Sequence, residues 1–349
     1  MQSSGRRTRL STAGASSTGQ DSISSSPSIS GDLRLLHTID SGDQLLCCQF
    51  NNDGTRIAAG LRNGIIKVYS VSDGSLVHVL TDQDIATSGL PVTSMRFMPR
   101  GPAHNGDVLL ATYSGGTVKL WHVSSRTCVR TMKENRQTMV ATFNPSGSRF
   151  LTGGAGPGIN MYDTQTWDNL GIFQSSDNPN TVDGHWSRVY ALTFFPENDE
   201  RFVSGGWDNT VQFWNIQQPH SQRRLSGPHV CGDAVSIDKT GTQVLTGSWR
   251  RNDTLQIWDA ETGIKLLDIP EDFRGRSQIY TCHFLGNDHI IAGGSRSNLC
   301  RLIDKRILMS TGVLNDLPGG VYSTHVSNRG VLGTTSSNLI YLSQTPVRP

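Results

Sequence analysis

No apolar run in this 349-residue chain approaches the ~20 residues that cross a bilayer; the longest, such as Val108 to Ala111 and Ile290 to Ala292, cover three or four positions. A membrane-spanning helix is therefore not expected, and the chain does not open on the apolar segment of a secretory leader. Charge is nearly balanced: 31 basic side chains against 29 acidic ones give a formal +2, too little for a general pull toward nucleic acid or anionic lipid. Six cysteines (Cys47, Cys48, Cys128, Cys231, Cys282, Cys300) include no CxxC or CxxH pair. Zinc-cluster spacing is thus excluded, and reduced, mostly buried thiols are expected. The ten histidines show no HxxxH or HExxH spacing, so neither a metal nor another cofactor is expected.

Large apolar side chains are also scarce in the first thirty residues, which hold eleven serines. Such a segment cannot bury enough surface to offset the entropy of ordering, so residues 1–31 are predicted to be a disordered Ser-rich tail. Arg6, Arg7 and Arg9, with no acid before Asp21, suit the start of a mitochondrial transit peptide, but the apolar face such a peptide needs is missing. A solvated tail, open to phosphorylation at Ser11, is the better reading.

What the remaining chain has is one unit repeated. FNNDGTRIAAG from Phe50 recurs as FNPSGSRFLTGG from Phe143, FFPENDERFVSGG from Phe194, IDKTGTQVLTGS from Ile237 and VSNRGVLGTT from Val326. A second segment follows, as GIIKVYSVSDGSLVHVL from Gly64 and DTLQIWDAETGIKLLDI from Asp253. Period-2 alternation between Asp-Gly, Ser-Gly and Thr-Gly turns predicts short antiparallel strands, four to a unit. Tyr69, Trp121, Tyr162, Trp214, Trp258, Ile303 and Ser343 mark the end of the third strand in successive units. Their spacing, near the ~40–45 residues of a propeller blade, predicts a seven-bladed all-β propeller over residues 32–349. The last unit stops after its third strand, and an orphan strand, Leu33 to Ile39, precedes the first. Pairing the two would close the ring and hide its edges.

With Trp258-Asp259 and Gly184-His185 in place, the pattern resembles the WD-repeat family over about nine-tenths of the chain. The resemblance implies a hydrogen-bonded tetrad in each blade, built from a His, a strand Ser or Thr, a turn Asp and the Trp. Blade four supplies it as His185, Ser204, Asp208 and Trp214. Blade five keeps His229, Thr246 and Trp258 but has Asn252 where the Asp belongs, and the other blades carry Asn63, Gly115, Gly156, Ser297 and Ser337 at that turn. The tetrad contains the residue types of a hydrolase triad, yet no GxSxG elbow is present. A structural role is expected, and no enzyme. The glycine run Gly153 to Gly158 lacks the Lys-Ser/Thr and the helix of a phosphate cradle, so it reads as a blade turn.

The resemblance also implies that partners bind the face formed by the turns between strands b and c and by the starts of strands a. On that rim the sequence places Arg62, Arg188, Tyr190, Trp207, Trp249, Arg251, Tyr280, Arg296 and Tyr322, with Asp233 as its sole acid. Trp, Tyr and Arg are the residue types that dominate interface hot spots. The expected function is a protein-interaction scaffold, or an adaptor subunit of a larger complex, gripping an acidic or aromatic-containing peptide. It is expected in the cytoplasm, with the nucleus as alternative. A substrate receptor of a cullin-type ubiquitin ligase is the second reading; its Trp/Tyr-Asp-x-Arg box is matched by Ile303-Asp304-Lys305-Arg306 without the aromatic. An RNA-binding propeller would use the same arginines, but nucleic acid is not the expected partner, and a single rim acid offers no catalytic cleft.

Overall fold

Seven antiparallel sheets make up the computed structural model, which describes residues 27–101, 107–178 and 180–347. The arginines at 6, 7 and 9 and Ser11 lie outside the described residues. Each sheet is a meander of strands a to d, and the strands a neighbour one another around a closed ring. Blade one runs from Leu45–Phe50 to Leu76–Leu80, blade two from Val92–Phe97 to Thr127–Lys133, and blade three from Thr138–Phe143 to Asn169–Phe173. Blade four runs from Val189–Phe194 to Arg223–Ser226, blade five from Val235–Ile237 to Lys265–Asp268, and blade six from Ser277–Leu285 to Met309–Asn315. Blade seven has Val321–Val326, Val331–Ser336 and Leu339–Gln344 from the C-terminal end of the chain.

Its fourth strand is Arg34–Asp40, which pairs with Leu339–Gln344 from Asp40↔Leu339 to Arg34↔Gln344. The orphan strand therefore closes the ring as its sequence position implied. Ile39, Ile340 and Leu342 join Phe50, Ile57 and Tyr69 in one apolar cluster that seals blade seven against blade one. All seven marker residues fall at one register: Tyr69 faces Ile57, Trp121 faces Leu109, Trp214 faces Phe202 and Ser343 faces Leu332. Between blades the sheets approach closely. A Cβ built on Gly60 would lie 2.8 Å from Val92 Cγ1, and one on Gly153 would lie 2.9 Å from Val189 Cγ1. At these two places strand b needs a glycine where the next blade's strand a begins, whereas blades two and seven carry Thr112 and Thr335 at that register.

Two elements depart from the sequence expectation. Ser28–Gly31, inside the predicted tail, pairs with Met309–Asn315 as a fifth strand on blade six. Its one apolar side chain, Ile29, packs partly buried beside Leu314 and Leu33, too short a signal to mark a strand. A helix, Gln83–Ser88, interrupts the loop from blade one to blade two. Asp82 caps it by accepting from Ile85 N at 3.0 Å, and Gly89 ends it in the left-handed conformation.

A repeated irregularity shapes the centre. In six blades strand a changes register at one place, between Leu45 and Cys47, Val92 and Ser94, Thr138 and Val140, Val189 and Ala191, Ile279 and Thr281, and Val321 and Ser323. A bulge leaves one residue unpaired and re-aims it. Here the unpaired residues are Leu46, Thr93, Met139, Tyr190, Tyr280 and Tyr322, and all six line the mouth of the central channel.

Candidate functional site

Blade four holds its loop by a chain of proton donors. Trp214 Nε1 donates to Ser204 Oγ at 2.7 Å, Ser204 Oγ lies 2.7 Å from His185 Nε2, and His185 Nδ1 donates to Asp208 Oδ2 at 2.7 Å. Asp208 also accepts from Trp186 N at 3.1 Å and from Thr210 Oγ1 at 2.7 Å. Burial pushes the Asp208 carboxyl up, but the bond and charge of His185 outweigh it and hold the group below the usual carboxylate range. All four tetrad residues are buried, with Ser204 shut off from solvent, so its Oγ is out of a substrate's reach. The four residues work as a clasp.

Blade three reaches the same end with other chemistry. Glu134, four residues before strand a as His185 is in blade four, accepts from Thr138 Oγ1 at 2.5 Å, Thr152 Oγ1 at 2.6 Å, Asn160 Nδ2 at 2.7 Å and Tyr162 OH at 2.8 Å. Arg136 Nε adds an ion pair at 3.2 Å. Burial would raise the Glu134 pKa, yet Arg136 and the threonine hydroxyls bring it down to about 2. In sequence this blade shows only Gly156 at the turn, so the network was not foreseen. Blade five keeps part of its tetrad: Trp258 Nε1 donates to Thr246 Oγ1 at 2.9 Å, while His229 turns to Asn209 Oδ1 at 2.9 Å.

The rim side chains gather into three groups. Trp207 stacks on Tyr190 with centroids 5.4 Å apart and on His229 at 6.1 Å, and the Arg188 guanidinium lies 4.8 Å over its ring. Its Nε1 donates to Cys231 Sγ at 2.9 Å, which ties the ring to a residue of the channel mouth while 39% of Trp207 stays exposed. Tyr280 and Tyr322 pair at 5.1 Å across the gap from blade six to blade seven. Trp249, 40% exposed, reaches the Tyr280 hydroxyl. Arg251 and Arg296 meet at a third place, a pocket between blades five and six.

The model for "WD domain, G-beta repeat" matches residues 33–70 and 177–215. The first match covers the closing strand with blade one, and the second covers the tetrad blade. The chain is a WD-repeat β-propeller. It is 23% identical over 263 residues to "Protein tipD" of Dictyostelium discoideum, a match covering 72% of this chain and 40% of that protein. It is 25% identical over 244 residues to "Guanine nucleotide-binding protein subunit beta" of Arabidopsis thaliana, covering 64% of this chain and 59% of that one. "WD repeat and HMG-box DNA-binding protein 1" of Mus musculus is 24% identical over 196 residues, covering 52% and 16%. The chain thus spans less than two-thirds of each relative. WD-repeat propellers typically act as protein-interaction scaffolds and are generally not enzymes.

Two residues expected on the rim stay outside these three groups. Arg62, on blade one, is exposed but touches none of the three groups; its backbone N donates to Gln44 O. Asp233 lines the channel mouth, where Arg96 of blade two crosses to it at 2.7 Å. The Arg96 guanidinium holds the Asp233 carboxyl below its ordinary range against the effect of burial. Below this bar lie Thr142, Thr193, Ser236, His283 and His325, at one register on successive blades. Burial, with His283 and Arg96 nearby, brings the His325 pKa down to about 3. A polar residue at this one register of every strand a, with Gln49 and Arg96 on blades one and two, was the overlooked signal. At the cullin-box position Ile303 is fully buried, and Asp304 accepts from its own neighbour Arg306 at 2.8 Å. No helix among the described residues is long and apolar enough to cross a membrane.

Proposed function

We propose that this chain is a scaffold or adaptor subunit that captures a segment of a partner protein on the face where the b–c turns meet the starts of strands a. The observation that supports this reading is the contiguous stack of Arg188, Trp207, Tyr190 and His229 beside the tyrosine-lined channel mouth. Its aromatics are already held by ring contacts and by the bond to Cys231, so binding orders few new side chains. Blades two and three, by contrast, offer Thr93 and Met139 at the mouth, so contact is expected on the side of blades four to six. The six free thiols support a reducing compartment, the cytoplasm or the nucleus.

Trp207→Ala combined with Arg251→Ala is the test, read by affinity capture from a cell extract and by thermal melting. Loss of a hot-spot Trp costs about 2 kcal/mol or more, roughly thirtyfold in affinity. Captured proteins should disappear while Tm stays in place. Capture that survives the double substitution removes this face as the site.

A further inference from the structure

Between blades five and six the rim carries four arginines around one cavity. Arg250 and Arg251 come from the lengthened b–c turn of blade five, Arg276 precedes strand a of blade six, and Arg296 ends its strand b. With Ser277 and Gln278 they line a space of about 240 Å³, the room of several waters at ~30 Å³ each. Among the described residues only Arg276 has a carboxylate partner, Glu271 Oε2 at 3.0 Å. Three guanidinium charges are left without one, and an arginine cannot shed its proton to relieve the repulsion. Arg250 Nη2 donates to the Asp253 carbonyl at 3.3 Å, but its Nε, closed to solvent, has no acceptor. Ser277 Oγ is likewise buried and unpartnered. A buried donor without a partner costs ~1–3 kcal/mol, so an anion with several acceptor oxygens would satisfy these donors and offset the three unpaired guanidinium charges together.

We propose that this pocket takes the phosphate of a phosphorylated side chain, which makes capture of the partner segment phosphorylation-dependent. The inference rests on the rim reading above and names the ligand for one end of it. A phosphomonoester brings about −1.5 to −2 charge and three acceptor oxygens that guanidinium forks bind in pairs; a lone carboxylate brings half that. A nucleic-acid backbone fits less well. It needs cations spaced along successive phosphates, whereas these four surround a single cavity on a chain of net charge +2. Trp249, 40% exposed, adjoins Arg250 in sequence and offers an aromatic surface to the residues that flank a phosphoresidue.

The whole chain is titrated with inorganic phosphate against chloride at equal ionic strength, and then offered a degenerate peptide library with one fixed phosphoserine and its unphosphorylated counterpart. Phosphate should raise Tm, and the phosphorylated library should be retained at least about tenfold better. Arg250→Gln with Arg296→Gln should remove both effects without lowering Tm in chloride, and Arg296→Lys, which keeps charge but loses the fork, should fall between. Equal retention of the two libraries overturns the proposal, as does phosphate binding undiminished in the double variant. Tighter retention of poly(U) than of the phosphorylated library would overturn it in favour of RNA. Trp207→Ala separates the two readings. If it abolishes capture while phosphatase treatment of the extract does not, the rim stands and the phosphate site falls. If capture survives it but the arginine variants still lose phosphate, the pocket stands alone.

Discussion

Blades three and four have the same four strands in the same register, yet they clasp their loops with unrelated side chains. Glu134 stands where His185 stands, Thr152 where Ser204 does, and Tyr162 where Trp214 does. Arg136, bonded to Thr152 O and Oγ1 at 3.0 Å, takes over the charge balance that Asp208 provides in blade four. Other blades vary the theme: buried Lys119 of blade two bridges to Asp82 at 2.5 Å and Asp84 at 3.0 Å, and Arg301 of blade six lies 3.7 Å from Asp272. What blades two, three, four and six share is a bonded polar cluster, not a set of residue types; blade seven, with Thr334 Oγ1 and Ser343 Oγ unpartnered at the same registers, lacks one. A buried group left unbonded is the costly case, and any donor set that avoids it serves.

The comparison breaks most visibly at the charges. Glu134→Ala leaves the nearly buried Arg136 without its ion pair and four donors without their acceptor, so about 3–5 kcal/mol of stability should go. His185→Ala should cost less, about 1–3 kcal/mol, because Asp208 keeps Thr210 and the Trp186 amide. Urea melts of the two variants against the parent chain decide it. Equal losses would mean that blade three is held by packing and not by its carboxylate.

Acid separates the clasps further. The Glu134 pKa is about 2 in the folded chain against an ordinary 4.5, so its contribution is present in full above pH 4.5 and is lost as pH falls toward 2. The span is worth roughly 3 kcal/mol. Glu134→Gln, which cannot titrate, should therefore lag the parent chain most at neutral pH and converge on it below pH 4. A gap that stays constant from pH 7 to pH 3 would show that the carboxylate is not the stabilising charge.

The ring and its closure were legible because alternation, turn residues and spacing act locally and repeat seven times: Leu33 to Ile39 was read as the missing strand from its position alone. Blade four's clasp was legible because it uses the expected residue types. Blade three's was not, since Glu134 reads as one more charged loop residue until Thr138, Thr152, Asn160 and Tyr162 are seen to converge on it. The rim shows the same divide. Turn counting placed Trp207, Tyr190, Tyr280 and Tyr322 on one face, but no local pattern tells that Asp233 will pair with Arg96, 137 positions away. Arg276 escaped notice for a similar reason: it lies in a long d–a loop whose path is set by the Asp272 cluster, and only the fold carries it to Arg250, Arg251 and Arg296.

The finest test of the comparison removes a single hydroxyl. Tyr162 and Trp214 occupy the same register and each donates one hydrogen bond into its clasp, Tyr162 OH to Glu134 Oε1 at 2.8 Å and Trp214 Nε1 to Ser204 Oγ at 2.7 Å. Glu134 Oε1 keeps Thr152 and Asn160 when the tyrosine hydroxyl is lost, and the ring itself still stacks on Phe150 at 5.1 Å. Tyr162→Phe should therefore cost only about 0.5–1.5 kcal/mol, the net value of one hydrogen bond. It should also leave the acid limb of Glu134 in place, because Arg136 still holds the carboxylate ionised. A larger loss, or a Glu134 limb shifted toward pH 4.5, would show that the tyrosine hydroxyl and not the arginine sets the charge state of the blade-three clasp.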